Sequence, residues 1–417
     1  MSNVTSSPLD LSFVRSQFPA LAGDWIFMDN AGGSQTLTRV ADRIRDYLLT
    51  SNVQLGASYA VSRQSGARVA DAHADIADLI GAARPDEVVM GPSTTALLYT
   101  LSTAMAEQIR PGDEIVVTNC DHEANIGPWR KLEEKGAVIR TWAVRPDSLE
   151  LSLNDLEPLL NGRTRLVCVT HASNILGTIN PVADIARLVH RHGAKLLVDA
   201  VAYAPHRAVD VAGWDVDYYV FSFYKVYGPH FAVLYGKHEH LAALPSLNHY
   251  FIDRSVIPYK LQPGNVNYEL AVGCTGIVDY LAELGERCGA TGPRRAKIEA
   301  AFDAIAAHEE ALAERLLAYL CGRNDVTVIG HSAADRTLRV PTISFVVDGY
   351  RSDEVVSAVD ASMIGIRFGD FYAKRLIETL GLAAVNGVIR VSLVHYNTLD
   401  EVDRLIEALG RAMPQAR

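Results

Sequence analysis

Three groups of residues could do chemistry together. Lys225 closes the run Asp217-Tyr-Tyr-Val-Phe-Ser-Phe-Tyr-Lys225, which reads as a buried β-strand and is punctuated by Gly228-Pro229. Lysine is almost never fully buried unless its charge is paired or removed, and a Schiff base with an aldehyde cofactor removes it. Taken alone, Lys225 also reads as a strand-end lysine that snorkels to solvent. Its company points elsewhere. Asp199 ends the apolar strand Lys195-Leu-Leu-Val-Asp199 at the carboxyl edge, where open α/β sheets place their ligand sites. Ser93-Thr94-Thr95 follows a strand over Glu87–Met90 and opens a helix over Ala96–Met105. A helix start offers unpartnered amides and the positive dipole end to an anion, although the same hydroxyls could simply cap the helix. Together the three groups suggest pyridoxal 5'-phosphate, with a Schiff base to Lys225, the pyridine nitrogen on Asp199 and the phosphate on Ser93, Thr94 and Thr95. Asp199 would keep the ring nitrogen protonated, so that the ring accepts electron density from a substrate carbanion while the freed lysine amine moves protons.

The elements that must hold these residues alternate along the chain. Asp10 caps a short helix over Leu11–Phe18, which Pro19 stops, and Trp25–Met28 is a short strand. It runs into Asp29-Asn30-Ala31-Gly32-Gly33, where the lack of side-chain bulk lets backbone approach a ligand. Helices are expected over Leu37–Leu49 and Arg63–Ile80. Strands at Glu114–Thr118, Ala137–Val144, Arg165–Thr170, Lys195–Val201 and Phe231–Tyr235 then alternate with helices at Ile126–Lys135, near Asp155 and at Val182–His192. Such alternation indicates a mostly parallel sheet covered by helices. Beyond a long helix at Lys297–Leu320, strands at Val326–Ile329, Thr342–Val347 and Val388–Leu393 alternate with helices at Asp353–Val359, Lys374–Leu380 and Leu399–Leu409, a smaller α/β domain. The expected division is an N-terminal segment 1–30 packing with the small domain, a large cofactor-binding domain 31–285 and a small C-terminal domain 286–417. Neither GxGxxG nor GxxxxGK[ST] occurs, so a nucleotide reading lacks its usual phosphate loop.

Composition narrows the partners. The chain has 417 residues, and a net charge of −10 argues against a nucleic-acid surface. Five cysteines without a CxxC pair form neither a disulfide framework nor a metal site, and a reducing cytoplasm fits best. The start Met-Ser-Asn-Val-Thr-Ser-Ser-Pro lacks the basic and apolar parts of an export signal, and no apolar run reaches membrane-spanning length.

Several ordered strings carry a family resemblance: Phe27-Met-Asp-Asn-Ala31, Pro111-Gly-Asp-Glu-Ile115, Asp121-His-Glu-Ala-Asn125 with Pro128-Trp129, and Ser173-Asn-Ile-Leu-Gly-Thr178. Leu197-Val-Asp199, Phe221-Ser222 with Lys225, Tyr227-Gly-Pro229, and Arg390-Val-Ser392 with Tyr396-Asn-Thr398 complete the set. The chain resembles, end to end, the class V aminotransferase family of fold-type I pyridoxal-phosphate enzymes, most closely its cysteine desulfurase-like branch. The resemblance implies a large domain with a mostly parallel seven-stranded sheet plus a smaller C-terminal α/β domain. It implies that Lys225, His122 and Asp199 are catalytic, with His122 stacked on the cofactor ring. Ser222 and Asn174 would also bind the cofactor. Ala31, Gly32, Asn174 and Arg390 would bind substrate, Arg390 gripping its carboxylate as a fork. It further implies a homodimer with the active site at the subunit interface, in which Asn265 of the segment Gln262-Pro-Gly-Asn-Val-Asn267 reaches the other subunit's phosphate where a threonine is usual.

The departures bear on the reaction. In cysteine desulfurases a mobile loop resembling Arg-x-Gly-His-His-Cys carries the attacking thiol, and here the matching stretch is Arg367-Phe-Gly-Asp-Phe-Tyr372. A phenol cannot hold a persulfide. The family's glutamine after the aspartate becomes Ala202, and its histidine before the lysine becomes Tyr224, whose hydroxyl could replace a phosphate contact. Alanine cannot bond the ring oxygen as that glutamine would, and Tyr203 or His206 could substitute there. The leading expectation is β-elimination, a carbon–sulfur lyase reaction on a cysteine-related amino acid, since it needs no protein thiol. Transamination and epimerisation use the same residues. A cofactor-binding scaffold without turnover is the remaining alternative, and Lys225, Asp199 and Arg390 argue against it.

Overall fold

The computed structural model describes residues 9–414. The reading of Met1–Pro8 as carrying no export signal therefore lies outside the described residues, and no helix among them is long and apolar enough to cross a membrane.

A seven-stranded sheet carries the candidate residues. Its spatial order is Val88–Gly91, Ala232–Gly236, Tyr218–Ser222, Lys195–Asp199, Thr164–Thr170, Glu114–Thr118 and Val138–Trp142. Only Ala232–Gly236 runs antiparallel to its neighbours, and the other pairings are parallel. Side chains alternate across a strand, so each central strand feeds two cores. Tyr219 and Phe221 enter the larger one, whereas Tyr218 and Val220 enter a second on the opposite face. Cys168 sits in the latter as a small buried hydrophobe.

A four-stranded antiparallel sheet, in the order Arg367–Gly369, Val388–Ser392, Thr342–Val347 and Val326–Ile329, has its own core. The long helix Arg294–Cys321 joins the two units, with Ile298, Phe302 and Ile305 in the large core and Leu312, Leu316 and Leu320 in the small one. The N-terminal segment is also shared. Val14 and Phe18 pack into the large core, and Ile26 and Met28 into the small one, where Ile26–Phe27 pairs with Ile364–Gly365.

Three expectations change, and one helix was not foreseen. Lys225 does not end its strand: the strand stops at Ser222, and a single 3-10 turn, Phe223–Lys225, carries the lysine off the sheet edge. The helix expected over Ile126–Lys135 is broken into Gly127–Arg130 and a 3-10 turn at Lys131–Lys135, with Pro128 in its first turn. Arg367–Gly369, expected as loop, is an edge strand, and only the turn after it is free of the sheet. The unforeseen helix is Tyr268–Arg287, and residues on nearly every side of it are buried. Gly273 and Gly276 let it approach Thr38–Thr50 closely: a Cβ on Gly273 would lie 2.5 Å from Ile44 and one on Gly276 3.1 Å from the Val40 nitrogen.

At the opposite end of the lysine-bearing strand, buried Asp217 fixes three elements. It accepts hydrogen bonds from Leu196 N–H at 2.7 Å, faces His190 and His240 at 2.8 Å each, and pairs with Lys237 at 3.2 Å. Burial alone would raise its pKa. The hydrogen bonds from His240, Leu196 and His190 and the Lys237 charge outweigh burial and hold the carboxyl well below its usual range. The stabilisation is therefore present above the unfolded carboxylate pKa and is lost only as pH falls through the depressed folded value. Asp217→Asn should cost about 3 kcal/mol at pH 7, read from the urea midpoint, because it leaves buried donors without their charge. An unchanged midpoint would show that the cluster is not structural.

Candidate functional site

The carboxyl edges of three neighbouring strands converge on one cleft of about 510 Å³. Ser93, Thr94, Thr95, His122, Asn174, Asp199, Ser222, Tyr224 and Lys225 all line it. One chain thus brings together nine of the residues singled out from sequence.

Part of the lining is a helix start. Ser93 caps the helix Thr94–Met105, its hydroxyl accepting from Ala96 N–H at 3.1 Å, and Thr94 shares a hydrogen bond of 2.7 Å with Ser222. The helix therefore begins earlier than the periodicity indicates, because Thr94 and Thr95 are already helical. Asp199 also lines the cleft, accepting from Val201 N–H at 2.9 Å. Burial raises its pKa to about 6, against the pull of that N–H and of Lys225. A protonated ring nitrogen placed there would favour the ionised carboxylate.

Lys225 is only 8% exposed, and its ammonium has no hydrogen bond or ion pair among the described residues. Burial, with the Arg390 charge adding to it, lowers its pKa to about 8. His122 supplies one wall. Its Nδ1 accepts from Ala124 N–H at 3.0 Å, and burial, with Lys225 and Arg390 adding, lowers its pKa to about 4, so the ring is neutral near pH 7. A flat heterocycle with an aldehyde, a basic nitrogen and a phosphate fits this donor set, and the lysine without a partner is the strongest sign of it.

Asp121, which anchors the His122 loop, escaped the sequence reading. It accepts from the Thr118 hydroxyl at 2.6 Å, Thr170 N–H at 3.0 Å and Asn125 Nδ2 at 2.5 Å, joining two strand ends to the turn after His122. Burial pushes it up to about 7, against those hydrogen bonds. Thr170 also lines the cleft and was missed, although the rule that selects Asp199, a polar residue closing an apolar strand, selects it too.

The remaining candidates lie beside the cleft or away from it. Arg390, 2% exposed, pairs through Nη2 with Asp29 Oδ1 at 2.8 Å and donates to the Asn174 carbonyl at 3.3 Å. Ala31 N–H donates to the Ser392 hydroxyl at 2.8 Å, and a Cβ on Gly32 would lie 2.7 Å from Asp29 Oδ2. Asn265 is not brought to this cleft: it lines a second one, of about 870 Å³, with Pro92, Ala96 and His230. Neither Tyr203 nor His206 lines the cleft. Tyr203 stacks on His171 at 3.5 Å, His206 is buried against Glu309 at 2.9 Å, and Val201 and Ala202 line the cleft instead. No cluster of metal-ligating side chains occurs among the described residues.

Fold and cleft together define a fold-type I pyridoxal-phosphate protein. The aminotransferase class-V family model matches residues 26–405, and the chain belongs to that family. It is 46% identical to an aminotransferase-like protein of Gibberella zeae, over 97% of this chain and 99% of that one. It is 34% identical to a cysteine desulfurase-like protein of Aspergillus flavus, over 94% and 88%. Among solved structures, the cysteine desulfurase CsdA of Escherichia coli superposes with a TM-score of 0.84 at 25% identity, covering 97% of this chain and 99% of that one. The protein is a pyridoxal-phosphate-dependent enzyme of the desulfurase-like and aminotransferase kind.

A lysine lowered from 10.5 to about 8 carries roughly 3 kcal/mol of burial cost. The apoprotein of Lys225→Met should therefore resist urea better than the parent at pH 7. Since the unfolded chain binds the lysine proton more tightly, the parent should close that gap as pH rises from about 8 towards 10.5. A Lys225→Met apoprotein less stable at pH 7 would contradict this.

Proposed function

We propose that the enzyme releases the Cβ substituent of a cysteine-related amino acid by β-elimination, without a protein thiol. The observation that carries this reading is a buried lysine in a cleft that no cysteine lines, with a tyrosine beside its His122 wall. Tyr372, 69% exposed, lies 5.1 Å from the His122 ring, and no cysteine lines the cleft. Cys120, Cys168 and Cys274 are buried, and Cys321 ends the long helix that bridges the two cores.

When bound, the cofactor supplies an electron sink for the pair left at Cα. The chain's residues do the rest. Arg390 binds the α-carboxylate, Asp199 holds the proton on the ring nitrogen, and neutral His122 presents a flat wall without adding positive charge. Lys225 Nζ, with its pKa near neutrality, takes the Cα proton. The balance is one substrate plus one water giving the protonated leaving group, pyruvate and ammonia. Ser93, Thr94, Thr95, Ser222 and the Tyr224 hydroxyl hold the phosphate end. The aminotransferase-like relative favours transamination as a second reading.

The same reading divides the chain at residues 30 and 285 and makes the enzyme a homodimer. Asn265 on its separate cleft and the exposed pair Tyr250 and Phe251 support an intersubunit phosphate contact. Five free cysteines support a cytoplasmic setting.

Purified enzyme should show a visible cofactor band that Lys225→Ala abolishes. With cysteine conjugates it should release pyruvate and ammonia in equal amounts while keeping the band. Bleaching with keto acid but no ammonia would establish transamination instead. Arg390→Lys should raise KM about tenfold or more, because an ammonium cannot reproduce the fixed planar N–H edge of the guanidinium.

A further inference from the structure

Phe371 and Tyr372 of the turn Asp370–Tyr372 are fastened to different parts of the site. Phe371 and Tyr372 are consecutive non-glycine residues in the left-handed region, with φ of +50° and +61°. Such backbone persists only where its surroundings over-determine it. Here they do. The Phe371 carbonyl accepts from Asn174 Nδ2 at 2.9 Å, and the Tyr372 carbonyl accepts from Glu123 N–H at 2.8 Å. Tyr372 N–H donates to Asp370 Oδ1 at 2.9 Å, and the Glu123 carboxylate takes both arms of Arg375, at 3.0 and 3.1 Å. The preceding residues, Arg367–Gly369, are paired in the small sheet.

These tethers place one ring. The guanidinium carbon of Arg390 lies 3.6 Å from the Phe371 ring centroid, closer than any other cation over a ring among the described residues. Arg390 is buried, so this interaction with the ring's negative face is desolvated and correspondingly strong. In the guanidinium plane, Nη2 is taken by Asp29 and Nη1 by the Asn174 carbonyl, while Nε is buried and has no partner. A buried cation with a fixed plane and an N–H left open matches an anchor completed by an external carboxylate.

We propose that Phe371 is the positioning residue for Arg390, holding the guanidinium plane so that its open N–H edge meets the substrate α-carboxylate. The turn then serves substrate anchoring rather than delivery of a nucleophile. This rests on the reading of Arg390 as the carboxylate anchor. Among variants of the residue, a ring is required and bulk alone is insufficient.

The test uses the holoenzyme and propionate, a carboxylate without an amine, with affinity read from the change propionate causes in the visible cofactor band. Phe371→Leu should weaken propionate about tenfold, the effect of removing one desolvated cation–ring interaction, and Phe371→Trp should restore it to within about threefold. A Phe371→Leu holoenzyme that binds propionate as tightly as the parent would overturn the proposal while leaving Arg390 as anchor, provided Arg390→Met abolishes binding. Propionate binding unaffected by Arg390→Met would instead overturn the anchor reading itself, and the proposal with it. Should Phe371→Leu fail to fold, Phe371→Met, pliable and of similar bulk, is read by the same criterion.

Discussion

The site is organised by the burial of an ammonium group that no acid engages in a hydrogen bond or ion pair among the described residues. A lysine in that position costs stability, and the chain accepts the cost at the carboxyl edge of its main sheet, where three strand ends leave a cleft. One feature follows from it directly. The lysine pKa falls to about 8, which brings the amine into the range where it can accept a proton. The neighbouring histidine is pushed down to about 4, mainly by its own burial, which keeps the wall of the cleft uncharged. The deeper carboxyl, Asp199, is raised to about 6, close enough to neutrality that an opposing cation would fix it in its charged form.

The buried arginine comes from the other unit. Arg390 stands on the small antiparallel sheet, yet its partners Asp29 and Asn174 lie on the N-terminal segment and on the loop after the Thr164–Thr170 strand. That loop is docked on the small sheet through its backbone: Val340 N–H donates to Gly177 at 2.9 Å, and the Ser344 hydroxyl donates to Ile175 at 2.7 Å. Gly177 sits at φ +70°, and a Cβ there would overlap the Thr342 carbonyl, so only glycine lets the two backbones meet. Lysine from one unit and arginine from the other are therefore brought close enough for their charges to interact, through an approach that a single methyl group would spoil.

Much of the scaffold was legible because hydrophobic periodicity is local. Glu114–Thr118, Val326–Ile329 and Thr342–Val347 match their expected bounds residue for residue. Lys225, Asp199 and the hydroxyl turn stood out by residue type against an apolar background. His122, Asn174 and Arg390 required the family resemblance, since a polar residue in a loop or at a strand end carries no sign of what it faces. What stayed hidden depends on contacts distant in sequence. The Tyr268–Arg287 helix is buried on nearly every side. Asp29 and Phe371 acquire meaning only beside Arg390, and the left-handed turn at Phe371 and Tyr372 breaks the local preference of both residues. The 3-10 turn that lifts Lys225 off its strand is likewise a tertiary effect, fixed by Phe223 N–H on the Phe231 carbonyl at 2.8 Å and by Ser34 N–H on the Tyr224 carbonyl at 3.0 Å.

The central claim is a covalent carbon–nitrogen link at one side chain, and reduction tests it most directly. Borohydride treatment of the holoprotein, followed by proteolysis and mass analysis, should place the cofactor's added mass on the peptide containing Lys225 and on no other. Added mass on a different lysine, or none on any peptide from a protein that bound the cofactor before reduction, would contradict the account.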